Sequence, residues 1–543
     1  MKTEADQKKL EYKRVLIKAL TKEFQKPSNQ INDDIRAYAK ALEEGKNLKL
    51  TVLTGGLCNY SYKLQVMNYP KAAPALFVKL TFGTPILFPD TPCSIERTKN
   101  EFKMMETFAK ITSHPNLAVT PYLLFDIDGS EENMKVIVTQ FSRLSEQAAN
   151  IFIDEDKSAD YYKAYAETLA AQLAALNNTE VTEPNFNVEI KDFFDSLVGL
   201  LEMFFAGYLD DSNETPDRTA LRGREMGKET LDKIIEVRRT TFRNAAHCYT
   251  HHDCHSFNQL VATPELQAVG GSNAGDICLI DWEFATVGAF GYDIGASTVF
   301  PLACAVAHAV NGHRESTASI LAFLDSLWES YAASIQLDGK GVTLEDVYRN
   351  MLMVVGLYFS SYHGINVHCE YLPIDEGNPD DLAKVKDSIG VLSLEFYEIG
   401  FLGLPKDATL EELRKRVSDA IQKEVEILSP SDPQKPPRQR RSSMLRQSGR
   451  RVSDAHSYFS MASDVVQEVC SNPHDAIASK EFKVKFDLPE CQTERKNSIM
   501  SLRQSIALVD LKRHSIKEWD RVIDWDDFLN DDDDEEEDGE LMK

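Results

Sequence analysis

The sequence predicts an α+β fold with a small β-rich amino-terminal lobe, a larger helical carboxyl-terminal lobe and a long polar tail. Residues 48–141 contain five short strand-like segments around a single helical pattern. Residues 161–365 are dominated by apolar residues at helical spacing. Beyond about residue 430 the chain is rich in proline and charged residues and poor in apolar ones, which predicts disorder because such a composition cannot form a packed core.

The length of the chain requires segments beyond the two lobes. Its 543 residues, 43% of them hydrophobic, provide enough material for a large core. We divide the chain into a helical extension (1–45), a β-rich lobe (46–143), a helical lobe (144–430) and a mostly disordered tail (431–543).

Several features favour a cytoplasmic protein without a membrane span. We find no run of 18 or more apolar residues, and the charged first 20 residues lack the apolar region of a secretion signal. Nine cysteines in no metal-like CxxC spacing indicate reduced thiols. We expect no nucleic-acid partner.

The β-rich lobe begins with two alternating segments, residues 48–66, that flank Gly55 and Gly56. Glycines at such a turn let backbone amides approach phosphate oxygens, because no Cβ blocks the approach. An isolated Gly-Gly pair is more often an ordinary hairpin. The next strand, residues 75–83, contains a single charge, Lys79. A lysine in such a strand is either solvated or a phosphate ligand paired with a carboxylate.

A helix predicted over residues 95–112 offers the carboxylates that could pair with Lys79. Its apolar residues recur at helical spacing, and its acidic candidates are Glu96, Glu101 and Glu106. Two further strands are predicted over 117–126 and 134–141.

The second lobe is predicted to be mostly helical. Helices are expected over 161–177, 193–209, 301–335 and 345–365, whereas the polar stretch 210–229 is expected to be a surface insertion.

Two motifs of the second lobe carry the chemistry. The first, HHDCHSFN, places His251, Asp253 and Asn258 in the spacing HxDxxxxN; the second places Asp281 directly after the apolar run 277–280. Phosphoryl transfer by kinases needs these parts: a carboxylate that accepts the proton of the attacking hydroxyl, and an Asn and an Asp that hold magnesium on the phosphates. An isolated HxD would be an ordinary polar loop, but two motifs in this order favour catalysis. The neighbouring cysteine and histidines lack the paired spacing of a zinc site.

These motifs, together with GGLCNYSYKL at 55–64, resemble those of the aminoglycoside phosphotransferase and choline/ethanolamine kinase superfamily over roughly residues 45–405. The resemblance implies a bilobal protein-kinase-like fold. It implies that Asp253 is the catalytic base, that Asn258 and Asp281 bind Mg2+, and that Asp293, with His251, supports the catalytic loop. Cys254 and Ser256 depart from the usual residues of the motif without changing these groups.

The resemblance also implies an ATP site. Lys79 would hold the phosphates and Glu101, in the first turns of its helix, would pair with Lys79. The hinge between the lobes would hydrogen-bond adenine through main-chain groups. The residues assigned to the site are Gly55, Gly56, Asn59, Lys79, Glu101, Gln140, Phe141 and Ser142.

The phosphate acceptor is less clearly indicated. We expect an ATP- and Mg2+-dependent phosphotransferase acting on an alcohol group of a small metabolite, with a choline- or ethanolamine-type amino alcohol favoured. However, residues 296–303 lack the Glu and Trp that help choline kinases hold a cationic head group. Alternatives are an aminoglycoside- or sugar-type acceptor, or a pseudoenzyme scaffold acting through its tail. The residues assigned to the acceptor site are Glu283, Phe284, Tyr358 and Tyr362, although the two tyrosines are more typical of a core.

The tail contains two kinds of charged segment. Basic residues precede Ser443, Ser453, Ser498 and Ser515, a pattern that basophilic protein kinases recognise. Between Asp524 and Glu540 the chain holds 12 acidic residues and no basic one. Such a block is usually solvated, but it could also pair with the basic segment 435–451 or occupy the cationic phosphate site and inhibit the enzyme.

Overall fold

A computed structural model describes residues 4–430 of the chain except 31, 54–58, 68–73, 84–93, 113, 115–116, 128–132, 155–156, 192–197, 211, 264–265, 268–272, 274, 366–367, 375–377 and 403–406. The predicted loop glycines Gly55 and Gly56 lie outside the described residues, as do the four serines and the acidic segment of the tail. The predicted domain boundaries stay a prediction.

The first lobe is built on a five-stranded antiparallel sheet with the strand order β1-β2-β3-β5-β4. Its strands alternate buried and half-exposed residues, or are buried on both faces in the centre of the sheet, as the sequence pattern predicts. The strands are β1 (Leu48–Leu53), β2 (Tyr60–Val66), β3 (Leu76–Phe82), β4 (Pro121–Asp126) and β5 (Met134–Gln140).

Two helices of the amino-terminal extension, α1 (Glu4–Phe24) and α2 (Asp33–Glu43), pack against this sheet. Helix α2 begins after Asn32, whose side chain accepts a hydrogen bond from the backbone N–H of Ile35. The hydroxyl of the buried Tyr38 donates to the carbonyl of Leu64 on β2, at 2.9 Å. The extension is therefore part of the hydrophobic core of this lobe.

Helix α3 (Arg97–Ile111) follows β3 and lies between the sheet and the second lobe. Met104, Met105 and Phe108 bury one face of this helix. Phe108 contacts Trp282 of the second lobe, with ring centroids 4.7 Å apart. The helix therefore links the sheet that holds Lys79 to the segment that follows Asp281.

The second lobe is mainly helical. Its helices are α4 (Ala149–Ile153), α5 (Ala159–Asn178), α6 (Val198–Tyr208), α7 (Arg218–Met226), α8 (Lys228–Asn244), α9 (Tyr292–Val310), α10 (Arg314–Ser334), α11 (Leu344–Ile365), α12 (Pro379–Tyr397) and α13 (Leu410–Leu428). The observed architecture, with a β-rich first part and a helical second part, confirms the predicted α+β kinase-like fold.

Helix α9 is the central helix of this lobe, and each of its residues is buried. By length and composition it could cross a membrane, but 94% of its apolar window is buried inside the protein, as is typical of a core helix. It begins after Gly291, whose φ of 93° disfavours other residues and whose Cα faces the carbonyl of Val347 so closely that no Cβ would fit.

Two small sheets position the loops that contain the motifs. Strand β7 (Cys248–Thr250) pairs with β10 (Thr286–Gly288), and β8 (Gln259–Val261) pairs with both β6 (Glu146–Gln147) and β9 (Ile277–Leu279). The HxDxxxxN motif lies between β7 and β8, and Asp281 lies between β9 and β10. Both motif loops are thereby held by the same pair of sheets.

The stretch 210–229 differs from the predicted surface insertion. Helix α7 lies within it, and Thr219 is fully buried against α12, where its backbone N–H donates to Asp387 Oδ1 at 2.9 Å. Asp217 caps the helix by accepting from the backbone N–H of Ala220. Polar composition concealed this packing because the buried contacts are hydrogen bonds rather than apolar ones.

Candidate active site

The loop of the HxDxxxxN motif, residues 251–258, is called the catalytic loop here for its predicted role. It is fixed by the carboxylate of Asp293, in the first turn of α9. Asp293 Oδ2 accepts from the backbone N–H of His251 and Oδ1 from that of His252, both at 2.9 Å. Burial raises the pKa of Asp293 to about 6, while these two hydrogen bonds oppose the shift. The loop needs such support because His252 has a positive φ of 66°.

His251 connects the catalytic loop to the segment preceding Asp281. Its Nε2 donates to the carbonyl of Ile280 at 3.0 Å, and its Nδ1 accepts from the backbone N–H of Asp253 at 3.4 Å. Burial lowers the pKa of His251 to about 4, so the ring is neutral, as this pattern of one donor and one acceptor requires. Its ring also contacts Trp282, with centroids 4.4 Å apart.

Asp253 is 1% exposed and is held by Asn258. The side-chain amide of Asn258 donates to Asp253 Oδ2 at 2.9 Å and to its carbonyl at 3.0 Å. Among the described residues, Asp253 Oδ1 has no hydrogen-bond partner. Burial, and then the charges of Asp281 and Glu283, raise the pKa of Asp253 well above its usual range. One buried carboxylate oxygen is therefore available to a ligand.

Lys79 is bound by two carboxylates. Its Nζ lies 3.0 Å from both oxygens of Glu101 on α3 and 2.6 Å from Asp281 Oδ1. Burial alone would lower the pKa of Lys79, but the charges of Asp281, Glu101 and Glu283 outweigh this effect and raise it. Lys79 is therefore a cation held beside the sheet, and of the three acidic candidates on the helix Glu101 is the one that contacts it.

Asp281 combines an unusual backbone with an accessible side chain. It adopts the left-handed conformation, with φ 64°, directly before the turn Trp282–Phe284. Its side chain is 38% exposed, in contrast to the 5% of Lys79 and of Glu101. A carboxylate that is both exposed and bonded to Lys79 can bind a cation without losing its position in the site.

Glu283 belongs to the same ionic cluster as Lys79, and its assignment to the acceptor site stays a prediction. Its Oε2 accepts from Arg97 Nε at 3.1 Å and from Asn59 Nδ2 at 2.8 Å. Arg97 also donates to Asn59 Oδ1 at 3.2 Å. Phe284, the other residue assigned beside it, is buried. Glu283 thus binds the start of β2 to α3.

Arg97 was not predicted to belong to the site, although its position in the sequence indicated it. Arg97 lies four residues before Glu101, so both side chains are on the same face of α3. Two charged residues on the face of α3 that turns towards Lys79 and Glu283 could have identified it. At 1% exposure, Arg97 is among the most buried charged residues of the described chain.

A cavity at the junction of the lobes includes part of the predicted adenine hinge. Gln140 and Ser142 line it; the other lining residues are Leu117, Ala118, Val119, Arg143, Leu144 and Cys278. Phe141 lies outside this lining, and Lys63 Nζ is 5.0 Å from its ring centroid. Cys278 was not predicted to line this cavity, because β9 is distant from the hinge in the sequence and is brought to it only by folding.

Tyr358 and Tyr362, also assigned to the acceptor, lie on α11 and are each 1% exposed. Burial raises the pKa of Tyr358 well above its usual value, and the nearby Asp253 contributes to the shift. Tyr362 lies 5.9 Å from the ring of His368, which stacks on Phe257 of the catalytic loop at 4.4 Å. The structure therefore brings both tyrosines to the side of the catalytic loop that lies against α11.

Comparison with known proteins agrees with this geometry. The sequence model of the phosphotransferase enzyme family matches residues 90–324, a range that includes α3, both motif loops and α9. A search of curated proteins found no match. Residues 90–324 therefore match the phosphotransferase enzyme family, the family of the aminoglycoside phosphotransferase and choline kinase superfamily, which confirms the predicted resemblance over this part of the chain.

Proposed function

We propose that this protein transfers the γ-phosphoryl group of ATP to a hydroxyl of a small metabolite, with Mg2+ as the metal. The family supports a kinase-type phosphotransferase of small molecules. The observation that carries the finer proposal concerns the two carboxylate oxygens of Asp253. One is fixed by Asn258, and the other is buried without a hydrogen-bond partner among the described residues. A hydroxyl that donates to this oxygen would be oriented for attack.

The residues around Asp253 fit magnesium and phosphate. Asp281 offers an accessible carboxylate, and Asn258 uses its amide nitrogen towards Asp253, which leaves the amide oxygen for a cation. Oxygen ligands of this kind are what Mg2+ prefers. When bound, the ion would withdraw negative charge from the transferring phosphoryl group. Lys79, already positioned by Glu101, would bind phosphate oxygens in the same cleft.

Asp253 would receive the proton of the acceptor hydroxyl. As the acceptor oxygen bonds to the γ-phosphorus and the bond to the leaving ADP breaks, the hydroxyl proton passes to the free carboxylate oxygen. The raised pKa of Asp253 makes it a stronger base than an exposed carboxylate. Asp293 and His251 keep the loop in this geometry without contacting the reacting atoms.

For the acceptor, we favour an amino alcohol of the choline or ethanolamine type. The aromatic rings of Tyr358 and Tyr362 lie beside the catalytic loop, and aromatic faces attract organic cations. A sugar-type acceptor is the second candidate, because residues 296–303 of α9 are all buried and include no acidic side chain that could balance a cation.

A panel of acceptors tests this proposal. Choline, ethanolamine, hexoses and an aminoglycoside would each be added to the full chain with Mg-ATP, and both ADP release and the phosphorylated product would be measured. Asp253→Asn serves as the matched inactive control. We expect one class to give product at a rate well above the control. ADP release at the control rate with all acceptors would contradict the proposal and favour a pseudoenzyme.

A further inference from the structure

His255 faces Asp253 from two residues further along the catalytic loop. The two side chains are 4% and 1% exposed, and His255 Nε2 lies 3.4 Å from Asp253 Oδ1. This is the carboxylate oxygen that Asn258 does not bind. The imidazole and this oxygen are therefore in contact inside the protein, but without the geometry of a hydrogen bond.

Three polar atoms at this place lack hydrogen bonds. Among the described residues, neither ring nitrogen of His255 has a partner, and neither has Asp253 Oδ1. Buried polar groups are nearly always hydrogen-bonded, since an unsatisfied group loses its hydration without compensation. Because the two atoms are 3.4 Å apart, a single hydroxyl oxygen lying to one side of the pair could be within hydrogen-bond distance of both.

The backbone on both sides of His255 is held in place. The carbonyl of Cys254 accepts from Ser297 Oγ at 2.7 Å and from Gln259 Nε2 at 3.0 Å. The carbonyl of His255 itself accepts from the backbone N–H of Asn258 at 2.9 Å. The imidazole is therefore presented by a rigid segment, as binding of a reacting group requires.

Two aromatic rings pack against His255. The ring of His255 lies 5.8 Å from that of Phe257 and 5.6 Å from that of His368. These neighbours provide packing around the imidazole and no carboxylate that would pair with it. Within the described part of the chain, Asp253 is the acidic group paired with His255.

We propose that His255 is a second binding residue for the reacting hydroxyl of the acceptor, which donates its hydrogen to Asp253 Oδ1 and accepts a hydrogen bond from His255 Nε2–H. This inference rests on the proposed function. Two fixed contacts orient the oxygen so that its remaining lone pair faces the γ-phosphorus. During transfer the proton moves to Asp253, the new O–P bond forms and ADP leaves with the electrons of the broken P–O bond, while His255 keeps its own proton.

Two variants of the full chain test this role. His255→Leu removes the donor, and His255→Gln keeps an N–H donor on a side chain of similar reach. With the acceptor identified by the panel, we expect the Leu variant to lower kcat/KM for the acceptor by about 10- to 100-fold. KM for Mg-ATP should change by less than about twofold, since Lys79 and Asp281 are untouched, and Gln should restore most of the loss.

The outcomes separate this inference from the proposed function. An active wild type whose kcat/KM for the acceptor is unchanged in His255→Leu overturns the role of His255 alone. A wild type that phosphorylates none of the acceptors overturns both. If the Leu variant unfolds at a lower temperature than the wild type or fails to bind Mg-ATP in calorimetry, the Gln variant is the test. Near-normal acceptor kinetics of the Gln variant support the proposal, and a loss of kcat/KM equal to that of the Leu variant overturns it.

Discussion

Arg97 and Glu283 form a buried ion pair between the two lobes, with 3.1 Å between Nε and Oε2. The pair joins the start of α3 to the turn that follows Asp281. Asn59, at the start of β2, bonds to both partners. Three separate parts of the proposed nucleotide site are therefore fixed to one another by a single cluster. The geometry of Lys79, Glu101 and Asp281 depends on this cluster, although none of its hydrogen bonds involves the reacting groups.

Breaking this ion pair should destabilise the protein strongly. Arg97→Met leaves Glu283 buried without its hydrogen-bonded cation, and removal of one partner of a buried pair costs about 3–5 kcal/mol. Lys79, whose Nζ lies 3.8 Å from Glu283 Oε2, should keep the loss at the lower end of this range. Unfolding in urea would measure the loss. The double variant Arg97→Met with Glu283→Gln should recover part of it. As a matched control, Arg414→Met breaks an exposed pair with Glu329 and should cost less than about 1 kcal/mol. Equal effects of the two arginine variants would contradict the importance of the buried pair.

The proposed base can be tested by Asp253→Asn. The amide cannot accept the hydroxyl proton, so turnover should fall by about 100-fold or more. The change retains shape and the contact with Asn258, so Mg-ATP affinity and thermal stability should stay close to those of the wild type. Steady-state kinetics and calorimetry would measure both. A variant with wild-type turnover would remove Asp253 from the mechanism.

The proposed metal ligand can be tested by Asp281→Ala. We expect weaker binding of Mg-ATP together with lower activity, because the phosphate oxygens lose their bridging cation. ATP binding without magnesium should not weaken, since Lys79 loses a competing carboxylate. Asp325→Ala, a change on the exposed face of α10, is the control and should leave both affinities unchanged. Unaltered Mg-ATP binding in Asp281→Ala would make Asp281 a structural residue.

On its acid side, the pH profile of activity should fall at a pH above the usual pKa range of carboxyl groups. The pKa of Asp253 is raised by burial and by the charges of Asp281 and Glu283, so its protonated, inactive form persists to a higher pH than that of an exposed aspartate, near 3.9. Activity is therefore lost as pH falls through this raised pKa. Bound magnesium cancels part of the charge of Asp281, so the limb in kcat should lie at lower pH than the limb in kcat/KM for Mg-ATP. Coincident limbs near pH 4 would contradict the raised pKa.

The tail should act through its charge. If the acidic segment after Asp524 covers the cationic nucleotide cleft, truncation near residue 430 should raise activity at low salt. The difference should shrink as salt rises, because charges are screened over about 8–10 Å at physiological ionic strength. Phosphorylation of Ser443 and Ser453 by a basophilic protein kinase would neutralise the basic segment and free the acidic one. Equal activity of the truncated and full chains across the salt series would make the tail a docking or localisation element.

The strands, helices and loops that hold the site residues could be predicted where the sequence pattern is local. Alternation marks the strand of Lys79, helical spacing marks the helix of Glu101, and the motifs mark the loops of Asp253 and Asp281. The partner of Glu283 was not predictable in this way, because Arg97 is 186 residues away in the sequence. Side-chain direction at the turn that contains Glu283 is set by the fold.

The same limit applies to the catalytic loop. Its sequence gives the identity of His255 but not its distance from Asp253, which depends on the hydrogen bonds of Ser297 and Gln259. Likewise, Cys278 reaches the cavity at the hinge only through the pairing of β8 with β9. Contacts between elements, and not the elements themselves, are what the sequence left open.

The attachment of the catalytic loop to Asp293 has a consequence for its motions. The backbone amides of His251 and His252 are hydrogen-bonded to the first turn of α9, a helix whose residues are all buried. Exchange of these two amide hydrogens with solvent deuterium therefore requires the core of the second lobe to open. Loops are ordinarily among the first parts of a protein to exchange, but this one should exchange as slowly as the central helix. Heating should abolish activity only when that helix unfolds.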